Sequence, residues 1–119
     1  MPIFKRGAIV RVPFPYTDRP VRQRRPAVVV SSSAFHAQSH LLWVLMITSA
    51  ENRPWPAHIL LVENHRSMGL PAPSLIRTAK IAAIESSYAE VIGHLPDALG
   101  TLLDDRLRHH LGPIAPADN

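Results

Sequence analysis

The run Pro26-Ala27-Val28-Val29-Val30 constrains the fold of this chain more than any other stretch. Consecutive valines have a strong strand preference, and an apolar run without alternation suits a strand covered on both faces. The rest of the chain must then supply core to both sides of it. Arg22, Arg24 and Arg25 stand immediately before this strand. Pro26 restricts Arg25 to extended geometry, because its ring crowds the αR region of the preceding residue. Arg25 is thus held straight at the mouth of a rigid strand. A planar guanidinium held in this way suits bidentate contact with phosphate or carboxylate. A solvated basic loop before a buried strand is the other reading of the same residues.

The remaining elements are short. The alternation of Ala8-Ile9-Val10-Arg11-Val12 predicts a first, half-buried strand. Pro13, Pro15 and Pro20 with Asp18 predict a loop over about 13–25, and a loop of that length in a small domain is often functional. A second strand is expected over 27–31, a helical turn over 33–38, and a central strand over 41–47, the most apolar segment, ending at Thr48-Ser49. Residues 58–63 read as a strand, 64–73 as a second long loop containing Gly69, and 74–81, 83–85 and 91–95 as further short strands. From Pro96 the period changes. Leu99, Leu103, Leu107 and Leu111, with Leu102 beside them, form one apolar helical stripe, and Gly112-Pro113 is a stop signal. The expectation is a mainly β domain over 1–119: a small barrel of five to seven strands (about 6–95), a C-terminal helix (about 97–111) and a tail (113–119).

Composition removes several classes of chemistry. The chain has no cysteine, so disulfides, thiolate zinc sites and cysteine nucleophiles are excluded. No apolar run approaches the roughly 18 residues of a membrane span, and residues 1–7 lack a signal-peptide core. A soluble, cytoplasmic protein is expected. The seven histidines show no ligand spacing, so no metal and no cofactor are expected. His58 and His94 read as structural residues or ligand contacts rather than catalysts. Trp43 and Trp55 could stack bases, although Trp43 lies in the most apolar strand and reads as core or interface. Residues 1–25 carry seven basic residues against the single acid Asp18, a surplus of +6 that leaves −2 for the rest of a chain of net charge +4. Such a basic first quarter points to a polyanion or an acidic protein segment as partner.

Gly7, Ile9-Val10, Val12, Phe14-Pro15 and Thr17-Asp18 are followed in order by Arg24-Arg25-Pro26-Ala27-Val28-Val29-Val30-Ser31, Ile47-Thr48-Ser49, Gly69-Leu70, Ser74 and Ile92-Gly93-His94-Leu95. This ordered set resembles the MazF/PemK family, the toxins of bacterial type II toxin–antitoxin pairs. The resemblance implies an SH3-like barrel with a C-terminal helix, the CcdB/PemK type of fold, in a homodimer. It further implies a metal-independent endoribonuclease that cuts single-stranded RNA at short sequences and leaves 2′,3′-cyclic phosphate and 5′-hydroxyl ends. The cognate antitoxin would be a protein with an acidic C-terminal segment that folds onto the toxin. The family's catalytic arginine and threonine fall on Arg25 and Thr48, and a later arginine falls on Arg77. With Arg22, Arg24, Ser31 and Lys80, Arg77 makes up the expected nucleic-acid-binding set. Two departures stand out. Residues 13–25 contain no histidine, and Ala79 occupies a position where some members have aspartate, so the general base is unassigned. A binding protein of the same fold, directed at gyrase or without catalysis, is the alternative. Arg25 and Thr48 favour the nuclease, and the tail 115–119 carries no gyrase-directed signature.

Overall fold

Ala27, Val28 and Val29 expose no surface at all, because the strand that holds them lies inside a sheet clothed on both faces. The computed structural model describes residues 4–13, 24–50, 59–61 and 65–113. Its elements in order are β1 (Ala8–Pro13), β2 (Arg24–Val29), α1 (Ser33–Ser39), β3 (Leu41–Ser49), β4 (Ile59–Leu61), a 3₁₀ turn at His65–Met68, β5 (Ser74–Glu85), a 3₁₀ turn at Ser86–Tyr88, β6 (Glu90–His94) and α2 (Asp97–Leu111). The strands form one antiparallel sheet in the order β4-β5-β3-β2-β1-β6. Strand alternation sorts the side chains into two cores. Val28 and Val30 join Ile9, Leu45 and Ile47 on the face covered by α2. Ala27 and Val29 join Val10, Val12, Val44 and Met46 on the other.

The ends of the sheet are drawn together through the 3₁₀ turn after β4, which lies against β6. Gly69 and Gly93 meet there. A Cβ on Gly69 would run into the Ile92 carbonyl, and one on Gly93 into the Met68 carbonyl. On the α2 side, Leu103 is buried, while Leu99, Leu102 and Leu107 pack against the same core. Gly112, at φ 73°, ends the helix. Its bounds agree with the sequence expectation. The stripe, however, outruns the core, since Leu111 is 68% exposed.

Three sequence expectations need correction. The loop expected over 13–25 is shorter, because Pro13 and Arg24 are paired strand residues, as are Val12 and Arg25. Pro26 does not end β2. The β2–β3 ladder begins only at Ala27 opposite Met46, so the proline lies where one flank of the strand is unpaired, a place a strand tolerates it. Second, 74–81 and 83–85 are one strand. Leu45 pairs with Ile81 and Ile47 with Ile76, so the four residues Arg77–Lys80 stand opposite Met46 alone. This odd insertion inverts the alternation, which is why the segment looks weakly periodic. Third, Trp43 has two readings, core and interface, and its exposure of 47% removes core. It shares the face of Leu45 but lies near the strand end, tilted against Phe35 at 4.9 Å between ring centroids.

Arg22, Trp55, His58, positions 14–23 of the loop expected over 13–25 and the tail beyond 113 lie outside the described residues. Among the described residues no helix is long and apolar enough to cross a membrane.

Candidate active site

Ala27 opposite Met46 is the last recorded pair of the β2–β3 ladder in this direction. Arg25 stands two residues further along β2, and Thr48 two residues further along β3. The period of two keeps both on the face of the Ala27–Met46 pair. On β5, Leu75 pairs with Thr48, and Arg77 is two residues beyond Leu75 on that same side. Three adjacent strands, β2, β3 and β5, thus bring Arg25, Thr48 and Arg77 to one end of one face. The chain enters and leaves segments 14–23 and 51–58 at this end.

The two arginines are held by their stems. Each is only partly exposed, and the Nε of each is buried. The Nε of Arg77 meets no acceptor among the described residues. Burial of the stem removes rotamer freedom before any ligand arrives, and preorganised donors stabilise developing anionic charge most effectively. The set contains two guanidinium groups and one hydroxyl. It suits a phosphodiester, whose non-bridging oxygens accept from both kinds of donor.

The other expected contacts are scattered. Arg24 follows the alternation of Val28, so it takes the face opposite Arg25. Its Nη1 lies 3.7 Å from Glu90 Oε2 on β6. Ser31 lies past the other end of β2 and is buried, its Oγ accepting from the Trp43 N–H at 3.0 Å. Lys80 is exposed within the β5 insertion. Arg6, part of the basic first quarter, is a structural tie. Its Nε donates to the Val30 carbonyl at 3.1 Å, and its Nη1 lies 3.6 Å from Asp104 of α2. Among the described residues, no three histidine, aspartate or glutamate side chains gather as a metal site would require.

Sequence reasoning missed two features near this end: Glu90 as the partner of Arg24, and the β5 insertion with its link from Thr78 to His110. No local signal marks the first, because the contact crosses three strands. The failed alternation after Ile76 was a signal for the second.

A family model described as the PemK-like, MazF-like toxin of type II toxin–antitoxin systems matches residues 5–111. No protein of curated function matches the chain. Among solved structures it is similar to MazF from Deinococcus radiodurans, with a TM-score of 0.75 at 20% identity, covering 95% of this chain and 100% of that one. A MazE–MazF structure from the same organism gives 0.75 at 19% identity, with 94% and 98% covered. An endoribonuclease in complex with its cognate antitoxin, from a mycobacterial species, gives 0.73 at 16% identity, with 98% and 100% covered. At these identities the likeness is one of fold: mainly β, of the MazF/PemK type.

Proposed function

Because the chain belongs to the PemK-like, MazF-like toxins of type II toxin–antitoxin systems, we propose that it is a metal-independent endoribonuclease acting on single-stranded RNA. The observation that carries this reading is that Arg25, Thr48 and Arg77 share one face near one end of three adjacent strands, with Arg77 two residues along β5 from the Thr48–Leu75 pair. The 2′-hydroxyl of the substrate attacks the neighbouring phosphorus, the bond to the 5′ oxygen breaks, and a 2′,3′-cyclic phosphate and a 5′-hydroxyl result. The proton leaves the 2′-hydroxyl for solvent, and the departing 5′ oxygen takes one up. Negative charge grows on the phosphoryl oxygens along the way, and the two guanidinium groups and the threonine hydroxyl donate to it. Arg25, whose guanidinium carries donors only and no acceptor, acts as a charge stabiliser and not as a base. Thr48 orients the phosphate. In-line placement of the 2′-hydroxyl supplies the rest of the acceleration.

Two partners complete the reading. Solved relatives of this fold include complexes with an antitoxin, and here an acidic protein segment is the expected ligand of the basic first quarter. A second copy of the chain is expected against the cleft between α1, β3 and the end of α2. Trp43, Ile81 and Leu111 border that cleft and are 47%, 53% and 68% exposed. The place of action on this reading is the cytoplasm, where the RNA is found. The test is incubation of the pure protein with single-stranded RNA oligonucleotides in EDTA. Cyclic-phosphate products absent from an Arg25→Ala control support the reading. Intact RNA with undiminished growth inhibition would favour a toxin that acts by binding.

A further inference from the structure

Glu90 stands between two arginines on the face of the sheet that turns away from Thr48. It pairs with Arg11 of β1, and Arg11 pairs in turn with Pro26 of β2. Val10 and Val12 belong to the core on the Arg25 face, so alternation sends Arg11, between them, to the other face. Arg24, two residues before Pro26, takes that same face, and its Nη1 lies 3.7 Å from Glu90 Oε2. Residues directly opposite in antiparallel strands hold their side chains roughly 5 Å apart, so one carboxylate stands beside two guanidinium groups. All three residues are exposed. The described strands carry one other acid, Glu85, at the far end of β5 opposite Leu41.

This end of the sheet therefore offers a pair of arginines on each face. Arg25 and Arg77 accompany Thr48, whereas Arg11 and Arg24 accompany Glu90. The attraction of a phosphodiester strand to arginine is independent of sequence, so phosphate alone does not choose between the pairs. The carboxylate does. A phosphate that reaches Arg24 meets the Glu90 charge well within the screening length of ~8 Å at physiological salt, and has to share or displace it. An exposed ion pair contributes little to stability, so repulsion of the wrong ligand is its larger consequence.

We propose that Glu90 is a specificity determinant: it keeps single-stranded RNA off Arg11 and Arg24 and so confines it to the face of Arg25, Thr48 and Arg77. The proposal rests on reading that face as the RNA site.

The experiment uses the full chain and a uniformly 2′-O-methylated RNA strand, which lacks a free 2′-hydroxyl and is bound without being cut. Glu90→Gln should bind it roughly threefold tighter or more at low salt, with a salt slope steeper by about 0.7 for each phosphate newly contacted. Arg11→Ala combined with Arg24→Ala should cost little in the wild type and should abolish the gain in Glu90→Gln. Asp105→Asn likewise removes an exposed, ion-paired carboxylate, on α2. It controls for net charge and should give a smaller gain. In ¹H–¹⁵N spectra of the arginine Nε–H groups, the strand should move Arg25 and Arg77 in the wild type, and Arg11 and Arg24 as well in Glu90→Gln. No gain in Glu90→Gln, a gain equal to that of Asp105→Asn, or a gain that survives loss of both arginines overturns the proposal. So do Arg11 and Arg24 signals that already move in the wild type. If the wild type cuts no ordinary RNA, the nuclease reading fails, and the binding cycle with the uncut strand still decides the role of Glu90.

Discussion

Arg24 and Arg25 are consecutive in sequence and stand on opposite faces of β2. Arg25 pairs with Val12, on the face whose core holds Val10, Val12 and Val29, whereas Arg24 reaches across β1 to Glu90 at 3.7 Å. The basic cluster before the valines is thus divided by the sheet. One arginine goes to the proposed phosphate site, the other to a solvent-exposed ion pair.

The two arginines should therefore differ in mutant behaviour. Arg25→Ala should lower RNA cleavage roughly 10²-fold or more, as expected for loss of a preorganised donor. Arg24→Ala should change it by less than about fivefold, since exposed ion pairs contribute little and its charge acts on RNA only at a distance. Both variants should melt near the wild type. Equal losses for the two, measured with one oligonucleotide, would mean that strand alternation does not sort their roles.

Thr48 and the substrate's 2′-hydroxyl define the chemistry. Thr48→Ala should lower the rate by less than Arg25→Ala does, because it removes a neutral donor where Arg25→Ala removes a charged one. A substrate with 2′-deoxyribose at the cut position should remain whole, and EDTA should leave cleavage of ordinary RNA unchanged. Cleavage of the deoxy-substituted strand would require a nucleophile other than the 2′-hydroxyl.

Much of this site was legible because its determinants are local. The Arg25-Pro26 pair, the valine run and the Ile47-Thr48-Ser49 strand end each announce their own conformation, and β2 and β3 formed as expected, apart from the bounds of β2, which runs Arg24–Val29 and not 27–31. The leucine stripe gave the bounds of α2 for the same reason. What was illegible depends on pairing. An insertion in β5 exists only relative to Met46 on β3, so its own residues read as two weak strands. The burial of Ser31 follows from a hydrogen bond to the Trp43 backbone, twelve residues away. Trp43 looked like core because its neighbours are, yet position along a strand decides exposure as much as hydrophobicity does.

Gly69 and Gly93 should be intolerant of any side chain. Each would drive a Cβ into a backbone carbonyl of the other's segment, and Gly69 also has φ +79°. Backbone cannot step aside as a side-chain tip can. Gly69→Ala and Gly93→Ala should each destabilise the fold by about 2 kcal/mol or more, through overpacking and backbone strain. Gly7→Ala is the control: φ is +93° but the space around it is open, so only the left-handed conformation is penalised, by roughly 1–2 kcal/mol. Denaturant melts of the three variants check this. A Gly93→Ala protein as stable as wild type would mean that β6 and the 3₁₀ turn separate easily.

The last prediction concerns assembly. Burial of Leu42, Val44, Leu45, Met46 and Ile47 leaves Trp43 as the exposed large side chain of β3, and on α2 the apolar surplus is confined to Leu111. Ile81 lies between them, because the β5 insertion returns it to the face of Leu45. These three border an open cleft of about 750 Å³ with Arg6, Asp104 and Arg108 on its rim. Contiguous apolar surface rimmed by charge is the usual mark of a protein interface, and a symmetric dimer would place the same patch on both copies. Ile81→Asp and Leu111→Asp, each putting a carboxylate into the dry centre, should shift micromolar protein from dimer to monomer by light scattering, with Tm falling in a concentration-dependent way. Wild-type protein that runs as a monomer at micromolar concentration with cleavage intact would refute the dimer. Unchanged dimer mass in both variants would move the interface to another face.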